Sequence, residues 1–293
     1  MTLPRLIFVT GKGGTGKSTL AGALALALSR RHKTVIADLD QRMTTARLLG
    51  VELNGSRRAS LGPLLDALAL TARAELESFI ERIVPIKAIA RRMLNSHTFG
   101  YVTAALPGLE AFLMLERLRL LSAEAAEHEG FVVVDGPATG GAIELLSTAS
   151  GVMNLAPSGT LNRLAKTVDE FLRDPRQFGA LVTLKPEELA LREAIEAASL
   201  LRDKIGVGYV AAILNGVPES LFSTAEIARI RRLSGARRLA MRRQATSKFA
   251  EQACERLHAE GLEVVELPML FSSAFGRSEL ETLGAELNHA GWN

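Results

Sequence analysis

Leu6-Ile7-Phe8-Val9-Thr10 runs directly into Gly11-Lys12-Gly13-Gly14-Thr15-Gly16-Lys17-Ser18. A short continuous apolar run bounded by glycine reads as a buried strand. The residues after it fit G-x-x-x-x-G-K-[ST], so the two together read as a strand followed by a phosphate-binding loop. Gly11, Gly13, Gly14 and Gly16 let the backbone wrap an anion, so that successive N–H groups, that of Thr15 included, point at it. Lys17 is expected to reach the β/γ-phosphates of a nucleoside triphosphate, and the Ser18 hydroxyl to ligate Mg²⁺. Ser18 to Arg31 is Ala/Leu-rich and reads as a helix. Its first residues, Ser18 and Thr19, add a positive dipole end to the same anion site. Lys12 is a second lysine where this chemistry needs only one.

The same glycines also satisfy G-x-G-x-x-G, with Asp38 standing about 20 residues further on, where a dinucleotide fold keeps its ribose-binding acid. On glycine spacing the two readings tie. Lys17-Ser18 breaks the tie, because a dinucleotide site needs neither a lysine nor a hydroxyl there, whereas Mg-nucleotide chemistry needs both.

Composition narrows the classes further. The 293 residues can bury one substantial core or two small ones, and 47 % apolar with 23 % charged residues is ordinary for a globular protein. A single cysteine, Cys254, excludes a disulfide framework and a Cys-based metal site. The five histidines form no H-E-x-x-H or Cys/His cluster. The apolar start leads into the loop rather than into a signal peptide, and Leu20–Leu28 is too short to span a bilayer; a cytoplasmic protein is expected. Net charge is +3 but uneven. Residues 227–250 hold Arg229, Arg231, Arg232, Arg237, Arg238, Arg242, Arg243 and Lys248 with no acid, which gives that window +8 and leaves −5 elsewhere. Such a segment is either a solvated helix face or a surface for nucleic acid, anionic lipid or an acidic partner.

Six runs read as strands: Leu6–Thr10, Thr34–Leu39, Phe131–Asp135, Ala180–Leu184, Tyr209–Leu214 and Glu263–Leu267. Helical patterns alternate with them, so the fold expected is α/β, a doubly wound, mostly parallel sheet, with ligands beyond the carboxyl ends of its strands. One connection, from Asp40 to Phe131, is too long for a simple crossover. It reads as a helical insertion over 52–128 within a single domain of 1–293, with helices at Leu61–Leu70, Glu75–Leu94 and Glu110–Glu127 and a turn or helix start at Pro107-Gly108. Leu109, Phe112, Leu113, Leu115, Leu118, Leu120 and Leu121 are apolar on more than one face, which suits either core or a client groove.

Carboxylates complete the site. Ala37-Asp38-Leu39-Asp40 and Asp135-Gly136-Pro137-Ala138-Thr139-Gly140 both close strands on the edge that carries the loop. Asp135 is expected to hold Mg²⁺ directly or through water, Asp38 to support it, and Asp40 to polarise the attacking water. The Gly-rich segment after Asp135 is placed to change conformation when the γ-phosphate leaves.

Gly11-Lys12-Gly13-Gly14-Thr15-Gly16-Lys17-Ser18 resembles the deviant Walker A of the MinD/ParA/ArsA group of P-loop ATPases. The resemblance implies that Lys12 crosses a dimer interface to the other subunit's nucleotide. It also implies that Asp40 is the water-activating switch I acid and Asp135 the switch II acid. Asp135-Gly136-Pro137-Ala138-Thr139-Gly140-Gly141 is similar to the D-x-P-x-T-G-H of the ArsA branch, Pro107-Gly108-Leu109-Glu110 to its P-G-x-x-E, and Val182-Thr183-Leu184-Lys185-Pro186-Glu187-Glu188-Leu189 to its V-T-x-P-E-x-L. Ile213-Leu214-Asn215 resembles its V-V-N, which implies that Asn215 reads adenine, and Pro268-Met269-Leu270 resembles a P-x-L loop near the base. The chain departs from the branch in having one phosphate loop, no cysteine cluster for arsenite, no C-x-x-C zinc clasp, Gln41-Arg42 after the switch I acid, and Gly141 in place of the switch II histidine. The resemblance thus implies an ATP- and Mg²⁺-dependent ATPase, a homodimer or a heterodimer with an ArsA-like paralogue, gripping a protein client. A positioning ATPase that binds DNA or anionic membrane through 227–250 is the alternative, as is a nucleotide-gated scaffold with negligible turnover.

Overall fold

The computed structural model describes residues 3–39, 43–53, 58–83, 108–229 and 234–292. Among the described residues eight strands form one sheet: β1 (Leu6–Gly11), β2 (Thr34–Asp38), β3 (Ala59–Gly62), β4 (Leu65–Ala69), β5 (Phe131–Ala138), β6 (Phe178–Leu184), β7 (Val210–Val217) and β8 (Glu263–Pro268). Their order is β3-β4-β2-β5-β1-β6-β7-β8. Pairing is parallel from β4 to β8 across the sheet, and only β3 runs antiparallel, against β4. The helices are α1 (Lys17–Leu28), α2 (Thr44–Leu48), α3 (Ala72–Ile83), α4 (Leu109–Ala126), α5 (Thr139–Leu146), α6 (Thr148–Leu155), α7 (Thr160–Arg173), α8 (Glu188–Ser199), α9 (Thr224–Arg229), α10 (Ser234–Ala259) and α11 (Arg277–His289). A π-helical segment, Leu200–Ile205, continues α8.

Parallel strands covered on both faces need apolar residues at every position rather than at alternate ones. The central strands obey this. Ile7, Val9, Ile36, Val133, Leu181 and Ile213 enter one core, with the apolar residues of α1 and α11. Leu6, Phe8, Val35, Val132, Val134, Val182 and Leu214 enter the other, beneath α4, α7, α8 and α10. All six strands expected from the sequence are present, within a few residues of the expected ends.

Leu61–Leu70 corrects the expectation of a helix: it spans the end of β3, a turn, and β4. Gly62-Pro63 stands near its start, where β3 ends. Proline presets φ for a turn and glycine is conformationally permissive, so the pair suits a tight reversal between two strands. The chain turns instead, and Leu65, Ala67, Leu68 and Ala69 bury themselves beside β2. The second helix begins three residues earlier than Glu75 and is described to Ile83; residues 84–94 lie outside the described residues. The third is α4, which opens on Gly108 at φ 83°. Pro107 lies outside the described residues. Of the candidate groove residues, Phe112, Leu113, Leu115, Leu118 and Leu121 are buried in the core, so this stretch is packing rather than an open groove.

Helices α1 and α11 pack closely through two glycines. A Cβ on Gly22 would meet Leu280 Cδ1 at 3.0 Å, and one on Gly284 would meet the carbonyl oxygen of Ala23 at 2.9 Å. Backbone gives way less readily than a side-chain end, so Gly284→Ala must push the helices apart. We expect a loss of about 1–3 kcal/mol, read as a lower urea midpoint at unchanged m-value. An unchanged midpoint would show that the helices slide freely.

Candidate phosphate-binding and carboxylate site

The chain leaves β1 for β2 on one side, while β5 leads to β6 on the other. Connections therefore diverge at the carboxyl ends of β1 and β5, where such sheets place ligands. The glycine-rich loop lies there, between Gly11 at the end of β1 and Lys17 at the start of α1. Gly11 has φ 147° and a Cβ would run into Thr183, while Gly16 has φ 96° and a Cβ would run into the Asn215 amide. Neither position accepts a side chain, which is why glycine stands at both.

A set of hydroxyls and one amide fixes the loop from below. Thr15 Oγ1 lies 2.8 Å from the Lys12 carbonyl and 2.7 Å from Thr183 Oγ1. Thr183 in turn donates to the Thr10 carbonyl at 3.1 Å, and Thr10 donates to the Pro137 carbonyl at 2.9 Å. Asn215 Nδ2 donates to the Thr15 carbonyl at 2.8 Å, linking the end of β7 to the loop. The Lys12 and Thr15 carbonyls thus have internal partners, and the Thr15 N–H makes only a long contact, 3.4 Å to the Lys12 carbonyl, which an anion could replace.

The two lysines differ. Lys17 Nζ reaches the Lys12 carbonyl at 3.4 Å. Lys12 Nζ instead lies 2.6 Å from Glu193 Oε1 on α8, with both side chains about half exposed. Beside this pair opens a cleft of about 310 Å³, lined by Lys12, Gly13, Thr139, Gly140, Glu193 and Leu200 among others.

Asp38 and Asp135 stand opposite one another across the β2–β5 pairing, and Asp135 stands opposite Val9 of β1, two residues before the loop. Both are buried, at 2 % and 1 % exposure. Thr45 of α2 donates its hydroxyl to Asp135 Oδ2 at 2.5 Å, and Leu39 N–H donates to the Asp135 carbonyl at 3.1 Å. Asp40 lies outside the described residues. Two carboxylates and the Thr45 hydroxyl are oxygen donors, which suit a hard cation such as Mg²⁺. Among the described residues no three His, Cys, Asp or Glu side chains form a metal cage. Mg²⁺ characteristically takes one or two carboxylates together with substrate phosphates and water, so the residues present fit it.

The site therefore gathers Gly11, Lys12, Gly13, Gly14, Thr15, Gly16, Lys17, Ser18 and Thr19 with Asp38, Asp135 and Asn215. Pro268 stands one strand further out, opposite Val217, with Met269 N–H donating to the Val217 carbonyl at 2.9 Å. Residue patterns alone missed Thr183, Thr45 and Glu193. A threonine closing a buried apolar strand could have flagged Thr183; nothing distinguishes Glu193 from any acid on an exposed helix. Cys254 is no rival nucleophile: burial and then Glu266 push its thiol up to about 12, so it stays protonated.

A family model described as Anion-transporting ATPase matches residues 4–157. The ATPase BagA of Mycobacterium tuberculosis is 30 % identical over 204 residues, covering 66 % of this chain and 59 % of that protein. The putative arsenical pump-driving ATPase of Halobacterium salinarum is 26 % identical over 230 residues, with 72 % and 35 % covered. The arsenical pump-driving ATPase of Escherichia coli is 24 % identical over 236 residues, with 73 % and 40 % covered. The match thus spans 59 % or less of the length of these relatives. No helix among the described residues is long and apolar enough to cross a membrane.

Proposed function

The chain belongs to the anion-transporting ATPase family, and from that premise we propose that it binds ATP with Mg²⁺ and hydrolyses it as a pair of subunits closing over the nucleotides. The observation that carries this reading is the buried Asp38–Asp135 pair, placed in register beside a glycine loop that opens on the N-terminus of α1.

Each residue then has a task. Loop N–H groups and the dipole of α1 hold the phosphate chain. Lys17 leaves the Lys12 carbonyl for the β/γ-phosphates. Ser18, Asp135 and Asp38 would hold the Mg²⁺, which would supply positive charge to the phosphates. Asp40, by resemblance, polarises the attacking water. Lys12 leaves Glu193 and reaches the partner subunit's nucleotide, while Asn215 and Pro268 flank the base. Gly140 and Gly141 lie in the first turn of α5, which starts directly after β5, so a change at Asp135 passes to that helix and to the cleft beside it. Closing and reopening would thereby grip and release a protein client, with a second copy or a paralogous subunit as partner.

Phosphate release by the full chain tests the first step. We expect Mg²⁺-dependent release that Lys17→Ala lowers by about 100-fold or more. A Lys17→Ala protein within about twofold of the parent, which is under 0.5 kcal/mol, would remove the loop from the chemistry.

A further inference from the structure

Of the ten large apolar side chains exposed among the described residues, seven fall on three segments: Leu221 and Phe222, Leu239 and Met241, and Met269, Phe271 and Phe275. The first segment follows β7, the second opens α10, and the third follows β8. They converge on Arg243. Its Nε donates to the Glu219 carbonyl at 2.8 Å, and its guanidinium carbon lies 5.7 Å from the centre of the Phe271 ring. The most exposed members are large, with Phe271 at 77 % and Leu239 at 70 %.

These apolar groups are interleaved with a run of positive charge. Residues 234–250 contain Arg237, Arg238, Arg242, Arg243 and Lys248 and no acid. Arg238, Met241, Arg242, Ala245 and Lys248 recur at helical spacing along α10, and all are exposed. Buried Ala240, Ser247 and Ala250 point the opposite face into the body. A solvated helix face has no use for exposed Leu239 and Met241. A nucleic-acid backbone has use for the arginines but not for aliphatic side chains. An anionic bilayer surface has use for both: guanidinium groups meet headgroup phosphates while Leu, Met and Phe side chains enter the acyl boundary.

We propose that α10, with the loops after β7 and β8, is a docking surface for an anionic lipid bilayer, Arg238 and Arg242 supplying the attraction and Leu239, Met241 and Phe271 the insertion. The surface lies on the nucleotide edge of the sheet, but the proposal stands apart from ATP hydrolysis and is tested on nucleotide-free protein.

The full chain is sedimented with vesicles of phosphatidylcholine alone and with vesicles containing phosphatidylglycerol, at low and high salt. Binding is expected only to the anionic vesicles and to weaken as salt rises. At about fivefold per arginine, Arg238→Glu with Arg242→Glu should weaken it by about 25-fold or more. Leu239→Ser with Met241→Ser should weaken it by about tenfold with the charge intact. Circular dichroism melts matching the parent exclude misfolding of either variant. Failure to bind anionic vesicles overturns the proposal, and so does binding that ignores the Leu239/Met241 change. Tight binding to duplex DNA that the same change leaves untouched would reassign the surface to nucleic acid.

Discussion

Lys12→Ala protein will bind ATP within about threefold of the parent and hydrolyse it roughly 1,000-fold more slowly, the low end of what a cation supplied across an interface contributes to phosphoryl transfer. The asymmetry follows from where Lys12 stands. Its ammonium faces away from the loop and onto Glu193, so within one subunit it adds nothing to the phosphate cradle that Lys17 and the loop N–H groups provide. Loss of binding is therefore expected for Lys17→Ala and loss of turnover for Lys12→Ala. Mixing the two inactive proteins makes the distinction sharper. If Lys12 acts across the interface, a mixed dimer pairs an intact loop with an intact Lys12 from the other chain, and activity returns. If Lys12 acts on its own nucleotide, no mixture recovers. The Glu193 contact is between half-exposed groups and is worth about 0–1 kcal/mol, so Glu193→Gln should raise dimerisation with ATP by no more than about fivefold. A mixture that stays inactive while both variants are folded sinks the trans-acting lysine.

Legibility followed burial. Strands β1, β2, β5, β6 and β7 are largely continuous apolar runs because both faces of each are covered, and such a run has few other readings; β8, at the sheet's edge, keeps Val264, Val265 and Leu267 alongside Glu263 and Glu266. β3 is the sheet's other edge and β4 its neighbour; there Ser60 is exposed, Leu61 and Asp66 are only partly buried, and the pattern is mixed. Leu61, Leu64, Leu65 and Leu68 fall at helical spacing by coincidence, and Gly62-Pro63 marks the turn that overrides it. The same division holds in the site. The loop and its acids are written in local patterns, Gly11 to Ser18 and the strand-end aspartates. Glu193 meets Lys12 from 181 positions away, and Asn215 meets Thr15 from 200. Those meetings are set by strand order, which puts β6 and β7 on the loop's flank, and strand order has no local signature. Thr183 was within reach, as it closes a wholly buried strand beside the loop. A hydroxyl at such a place needs a partner, and the loop supplies it.

Asp135→Asn should separate the metal's contribution from that of the loop. The substitution keeps the shape and leaves an oxygen that can accept the Thr45 hydroxyl, now 2.5 Å from Oδ2, so α2 and β5 stay joined. What it removes is a negative charge at the carboxyl end of β5, beside the loop, at a residue 1 % exposed. A buried carboxylate polarised toward a divalent cation acts at low effective dielectric, where the charge matters more than the hydrogen bond. Turnover with Mg²⁺ should fall by about 100-fold or more, which is about 2.7 kcal/mol at 1.36 kcal/mol per decade. Affinity for a non-hydrolysable ATP analogue should fall in Mg²⁺ but not in EDTA, because loop N–H groups and Lys17 bind the phosphates in either case. Calorimetric titration under the two conditions reads the difference. Equal affinity in Mg²⁺ for parent and variant would release Asp135 from the metal and leave it a strand-end acid tying down α2. An equal loss in EDTA would mean that the loop itself had moved. The Thr10–Pro137 hydrogen bond makes that second outcome specific, since it ties the segment after Asp135 to the last residues of β1. A loop that shifts when β5 is perturbed would drag Thr10, Thr183 and Thr15 with it, and Thr15→Val would then reproduce the EDTA loss with Asp135 intact.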